Sequence, residues 1–246
     1  MLSPAITPPS NPAFERLYDS STRPHRQTRT GERPSTLPGC CISTTTAPPT
    51  AHPWWRCTVS CATAPDGSAS PKTTCPGIRV HAPDLRGHGR STTQPPWTFE
   101  QHADDVREIL DTLHLDQAVV VGHSLGATIA VHLSQLIPGR IRRLILLDPG
   151  IGLPEALAAK FAAEAPSPVI AATWTELARE PVAPAAPTTL VRARRSKAVP
   201  PGYPGQCATA LGEKFRLVEL DCGHQVHEEK PAETAELIRA AVSGTP

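Results

Sequence analysis

The chain has 246 residues, a formal net charge of +1 and 19% charged residues. That balance excludes the basic footprint of a nucleic-acid binder and the charged face of a protein that adsorbs to anionic membranes. No apolar run reaches the roughly 18 residues that a membrane-spanning helix needs, and the length suits one large α/β domain.

Residues 1–76 do not read like the rest. Prolines number 29 in the whole chain, about twice the usual ~5%, and they crowd stretches such as "STRPHRQTRTGERPSTLPGCCISTTTAPPTAHPWW". Neither strand alternation nor helical periodicity persists there. Isolated apolar residues cannot bury enough surface to offset the cost of ordering the backbone, so a low-order segment is expected, with at most a short element near "PAFERLYD". The Pro-, Thr-, Arg- and Cys-rich composition resembles a coding region translated out of frame, and resequencing the DNA tests that expectation. "MLSPAITPPSNP" has neither the basic nor the apolar region of a secretory signal, which predicts a cytoplasmic protein. Five of the 7 cysteines lie in this segment. They read as free thiols, because no paired CxxC or His spacing points to a metal.

From Gly77 onward, strands and helices alternate. "GIRVHAPD" (Gly77 to Asp84) predicts a short strand ended by the turn "LRGHGRST". In "TFEQHADDVREILDTLHL", Thr98 is placed to cap a helix with Gln101 three residues on, and Val106, Ile109, Leu110 and Leu113 share one face. "QAVVVG" (Gln117 to Gly122) is a strand apolar on both faces, as in a buried parallel sheet. "LGATIAVHLSQLIPG" is a helix closed by Pro138 and Gly139. Ile141 to Asp148, Thr188 to Ala193 and Lys214 to Asp221 are further strands, and a last helix starts near Pro231. The order implies an α/β fold: a mostly parallel sheet with helices on both faces. Residues about 151–187, with alanine-rich patches broken by prolines, predict a small lid inserted after a strand.

"GHSLG" sits where the buried strand passes into the helix. A G-x-S-x-G turn there raises Ser124 above the sheet edge at a helix N-terminus, where the Leu125 N–H can face a developing oxyanion. The competing reading is a plain helix cap, since serine is a good N-cap residue. A serine nucleophile needs a base. His224, in a Gly-His turn between a strand and the last helix, is the histidine best placed to reach it. His227 is a weaker substitute with a solvent-facing role, and His123 points away from the site by the period of the turn.

"APDLRGHGRS", "VVVGHSLGATIAVHLSQLIPGRIRRLILLDP" and "LVELDCGHQVHEEKP" together resemble the α/β-hydrolase superfamily, in its serine esterase, lipase and haloperoxidase-like branches, over residues 77–246. The resemblance implies a Ser–acid–His triad with no metal and no organic cofactor, acting on a small-molecule substrate. It implies hydrolysis of an ester, lactone or thioester bond through an acyl-enzyme. Two positions depart from the family pattern. The loop "LVRARRSKAVPP", where the acid usually lies, has Lys197 and no carboxylate. Asp148, one strand earlier, is the preferred acid; Asp221 lies close to His224 along the same strand, and absence of an acid is the remaining reading. The early strands look missing or degenerate, including the His-Gly turn that gives the second oxyanion donor. His52 is followed by Pro53, which has no N–H. The alternative function is therefore a catalytically impaired hydrolase-like scaffold with an incomplete oxyanion hole. Nucleotide binding is disfavoured, because the glycine turns lack the P-loop lysine and the G-x-G-x-x-G spacing.

Overall fold

The computed structural model describes residues 58–63, 78–88 and 91–244. The element expected near "PAFERLYD", and His52 with Pro53, lie outside the described residues. Six strands form one sheet: β1 (Thr58–Thr63), β2 (Arg79–His81), β3 (Ala118–His123), β4 (Ile141–Leu147), β5 (Thr188–Ala193) and β6 (Phe215–Leu220), in the order β2-β1-β3-β4-β5-β6. β3 to β6 are mutually parallel, and β1 runs antiparallel to both β2 and β3. The mostly parallel sheet is therefore as expected. β1 is a difference, because it falls inside the segment in which no strand alternation was read.

The apolar runs of β3 and β4 separate their two faces residue by residue, as a period of two requires. Val120, Leu144 and Leu146 join one core with helices α1 (Phe99–Thr112), α2 (Leu125–Leu136) and α5 (Tyr203–Leu211). Val119, Val121, Ile145 and Leu147 join the other, with Val226 of the short α6 (Val226–Glu229) and with Ala235, Ala241 and Val242 of α7 (Pro231–Ser243). Each buried valine, leucine or isoleucine among them contributes roughly 1.5–3 kcal/mol of transfer free energy. Among the described residues, no helix is long and apolar enough to cross a membrane.

Helix ends follow the local chemistry. Thr98 is extended and its hydroxyl accepts from Gln101 N at 3.3 Å, but the Gln101 side chain donates forward to Asp105 (3.0 Å) instead of back to the cap. Half of the expected capping box is thus made. α7 starts at Pro231 and is capped after Ser243 by Gly244, whose φ of 77° is the left-handed conformation that glycine adopts without penalty.

The stretch 151–187, expected to form a lid, holds two helices, α3 (Glu155–Ala163) and α4 (Pro168–Leu177), joined by ring contact between Phe161 and Trp174. It is tied to the sheet domain by charge. Glu176 Oε2 accepts from Phe99 N at 2.8 Å, at the positive end of α1. Arg179 bridges Glu176 and Glu100 at 2.7–2.9 Å. Hydrogen bonding to Arg179 pulls the Glu100 carboxyl from 4.5 down to about 2. A carboxyl held below its unfolded value stabilises the fold above that value, and the contribution is lost as pH falls through the folded one. Melting temperatures of Glu100→Gln should accordingly lie below wild type near pH 6, with the gap closing between pH 4.5 and 2. A gap that stays constant over that range argues against the latch.

Candidate active site

Three adjacent features of the sheet's C-terminal edge supply the site. In the β3–β4 register His123 stands opposite Leu147, so the next residues, Ser124 and Asp148, leave neighbouring parallel strands side by side. Ser124 N donates to Leu147 O at 3.2 Å and Asp148 N to Val191 O at 2.8 Å, which clasps both turns to the strand ends. Both residues take positive φ, 52° for Ser124 and 43° for Asp148. For non-glycine residues this costs on the order of 1–3 kcal/mol and persists only where the surroundings impose it.

At Ser124 the surroundings are glycine and packed backbone. A β-carbon on Gly122 would lie 2.5 Å from Ala127 Cα and Gly126 O and 2.6 Å from Ala127 N, so strand and helix approach closely only because that side chain is missing. Ser124 occupies the N-cap position of α2, yet its side chain makes no capping hydrogen bond. The hydroxyl points instead to His224, whose Nε2 lies 2.9 Å from Ser124 Oγ. The helix-cap reading is thereby set aside. Leu125, buried, is the first residue of α2, one of the positions whose N–H has no partner within its own helix.

His224 lies on the loop after β6, 5% exposed, and its Nδ1 is 2.7 Å from Asp148 Oδ2. Asp148 is fully buried, and its other oxygen accepts the Ala193 N–H at 3.0 Å. Both carboxylate oxygens are therefore hydrogen-bonded, as a buried charge requires. The end of β5 supplies that backbone donor even though its following loop has no acid; Lys197 is exposed. Asp221 turns outward, its side chain 76% exposed and 3.4 Å from Arg195.

Two histidines differ from the sequence reading. His123 does leave the serine face, but its buried ring packs against His224 at 4.7 Å between centroids. Its Nε2–H donates to the His224 carbonyl at 2.7 Å, an oxygen that also accepts Val226 N. His227 is half-buried rather than solvent-facing, its ring edge-on to His123 at 4.8 Å. The His224 loop is braced further by Glu229, which accepts from Gly223 N at 2.9 Å and pairs with Arg195. Alternation along β3 signals which way His123 points, but nothing in the sequence signals that the later loop closes beneath it.

A hydroxyl, an imidazole and a buried carboxylate linked in this order can move a proton off the serine as it attacks an electrophile. Residues 46–186 match the family model described as alpha/beta hydrolase fold, starting ahead of the boundary drawn near residue 77. Lipase LipV of Mycobacterium tuberculosis is 33% identical over 221 residues, covering 67% of this chain and 84% of that protein. The sn-1-specific diacylglycerol lipase ABHD11 of Danio rerio is 32% identical over 72 residues, 29% of this chain and 23% of its own length. Among solved structures, the alpha/beta hydrolase MGS-M2 from a deep-sea metagenome library aligns with a TM-score of 0.58 at 17% identity, covering 69% of this chain and 79% of that one. The enol-lactonase from Burkholderia xenovorans aligns at 0.55 and 21% identity, over 68% and 80%. With a family match over more than half of its length, the chain belongs to the alpha/beta hydrolase fold family.

Proposed function

We propose that this protein is a serine hydrolase of carboxylic esters, acting on small hydrophobic substrates through an acyl-enzyme. The observation that carries the reading is the unbroken hydrogen-bonded series Ser124 Oγ, His224, Asp148 at 2.9 and 2.7 Å. In this reading Ser124 Oγ bonds to the ester carbonyl carbon while its proton passes to His224 Nε2. The imidazolium is stabilised by Asp148, and the oxyanion faces the Leu125 N–H at the positive end of α2. Collapse of the tetrahedral adduct breaks the ester C–O bond, and the alcohol leaves with the proton from His224. Water then repeats the cycle on the acyl-enzyme, giving the acid and free Ser124.

The names of the relatives, lipases and a lactonase, support an ester-type bond. Leu177, whose methyl group lies across a one-carbon gap from Ser124 Oγ, supports a hydrophobic substrate. A fluorophosphonate should label wild-type protein at Ser124 and should not label Ser124→Ala, and p-nitrophenyl esters should be hydrolysed only by the former. Folded wild-type protein that takes up no label would instead make the chain a non-catalytic relative.

A further inference from the structure

Gly150 follows Asp148 by two residues and is buried. Its carbonyl accepts a 2.7 Å hydrogen bond from Thr128 Oγ1, a fully buried hydroxyl one turn along α2 from Ser124. A β-carbon at Gly150 would stand 3.3 Å from Ser124 Oγ and 3.5 and 3.8 Å from the two methyl groups of Leu177. Leu177 ends α4 of the lid, and its carbonyl accepts from Leu153 N at 2.9 Å. One wall of this gap is thus pinned to the elbow helix, and the other to the chain just beyond Gly150. The gap is about one methyl group thick, since a single carbon there touches nucleophile and lid together.

A reacting carbonyl carbon must come to about 3–3.5 Å from the attacking oxygen. The space left by the missing side chain of Gly150 lies at that radius. We infer that Gly150 and Leu177 form a slot for the acyl side of the substrate, which selects esters of unbranched acyl chains and rejects chains branched next to the carbonyl. The inference rests on Ser124 being the nucleophile and adds the class of acyl group. Gly150 is not among the residues with positive φ, so alanine fits its backbone, and Gly150→Ala tests space instead of strain.

The test is the rate of Ser124 phosphonylation in the full chain by phosphonofluoridates carrying methyl, n-octyl or tert-butyl on phosphorus. The Oγ–P bond forms, fluoride leaves, and the proton passes to His224. Wild type should react with the methyl and octyl reagents and discriminate against tert-butyl by roughly tenfold or more, the scale of steric selection in an apolar pocket. Gly150→Ala should lower the octyl-to-methyl rate ratio by about tenfold, and Leu177→Ala should relax the rejection of tert-butyl by a similar factor. If both variants keep the wild-type ratios, the slot is overturned while Ser124 stands. Leu177→Ala decides alone should Gly150→Ala fail to fold. Failure of the methyl reagent to label wild type would remove the nucleophile itself, a distinct result.

Discussion

Asp148→Asn is expected to lower kcat for ester hydrolysis by roughly four orders of magnitude, the loss that follows when a triad histidine is held in the wrong tautomer. The reason lies in the second partner of the carboxylate. One Asp148 oxygen accepts the Ala193 N–H at 3.0 Å, and the other faces His224 Nδ1 at 2.7 Å. An asparagine must turn its own oxygen toward Ala193, because two N–H groups cannot face each other there. Its NH2 then meets His224 Nδ1 and forces that nitrogen to accept. The ring proton moves to Nε2, 2.9 Å from Ser124 Oγ, where a lone pair was needed. Asparagine also tolerates the φ of 43° at this position, so the fold should survive. Asp221→Asn, which alters an exposed carboxylate paired with Arg195, should stay within about threefold of wild type, as is usual for surface changes of this kind. Activity of Asp148→Asn within tenfold of wild type would remove Asp148 from the triad.

What could be read in advance, and what could not, divides by distance along the chain. The valines of β3, the glycines of the elbow and the apolar face of α1 are local patterns, and the strands β3 to β6 were legible to within a residue or two for that reason. The helix α5 was not, because Pro204 and Gly205 in its first turn hide the weak periodicity that follows. Ser124 and His224, 100 residues apart, were legible only because each sits in its own turn beyond a strand. The choice between Asp148 and Asp221 depended on which one turns inward, a fact of packing. The ring of His123 against His224, the narrow gap between Gly150 and Leu177, and Glu176 at the N-terminus of α1 bring together distant segments that no spacing announces.

Gly122→Ala should be strongly destabilising. The added carbon would come within 2.6 Å of three atoms of residues 126 and 127, and all three are backbone. A flexible side chain could swing aside, but the first turn of α2 cannot move without breaking its own hydrogen bonds or its contact with β3. Overpacking that forces a backbone shift costs about 1–3 kcal/mol and sometimes more, and here the upper end is expected. For a domain of this size, that corresponds to a fall of roughly 6–12 °C in Tm. Gly139→Ala is the control, since a β-carbon there meets nothing within 4 Å, and its Tm should shift by no more than about 2 °C. Any relief at Gly122 has to come from lifting α2 off the sheet, which carries Ser124 away from His224. Fluorophosphonate labelling of the folded fraction should therefore fall by about a hundredfold, the scale of a misplacement near 1 Å. A Gly122→Ala protein that melts and labels like wild type would mean that strand and helix do not meet as closely as the elbow requires, and the strained φ of Ser124 would then lose its cause.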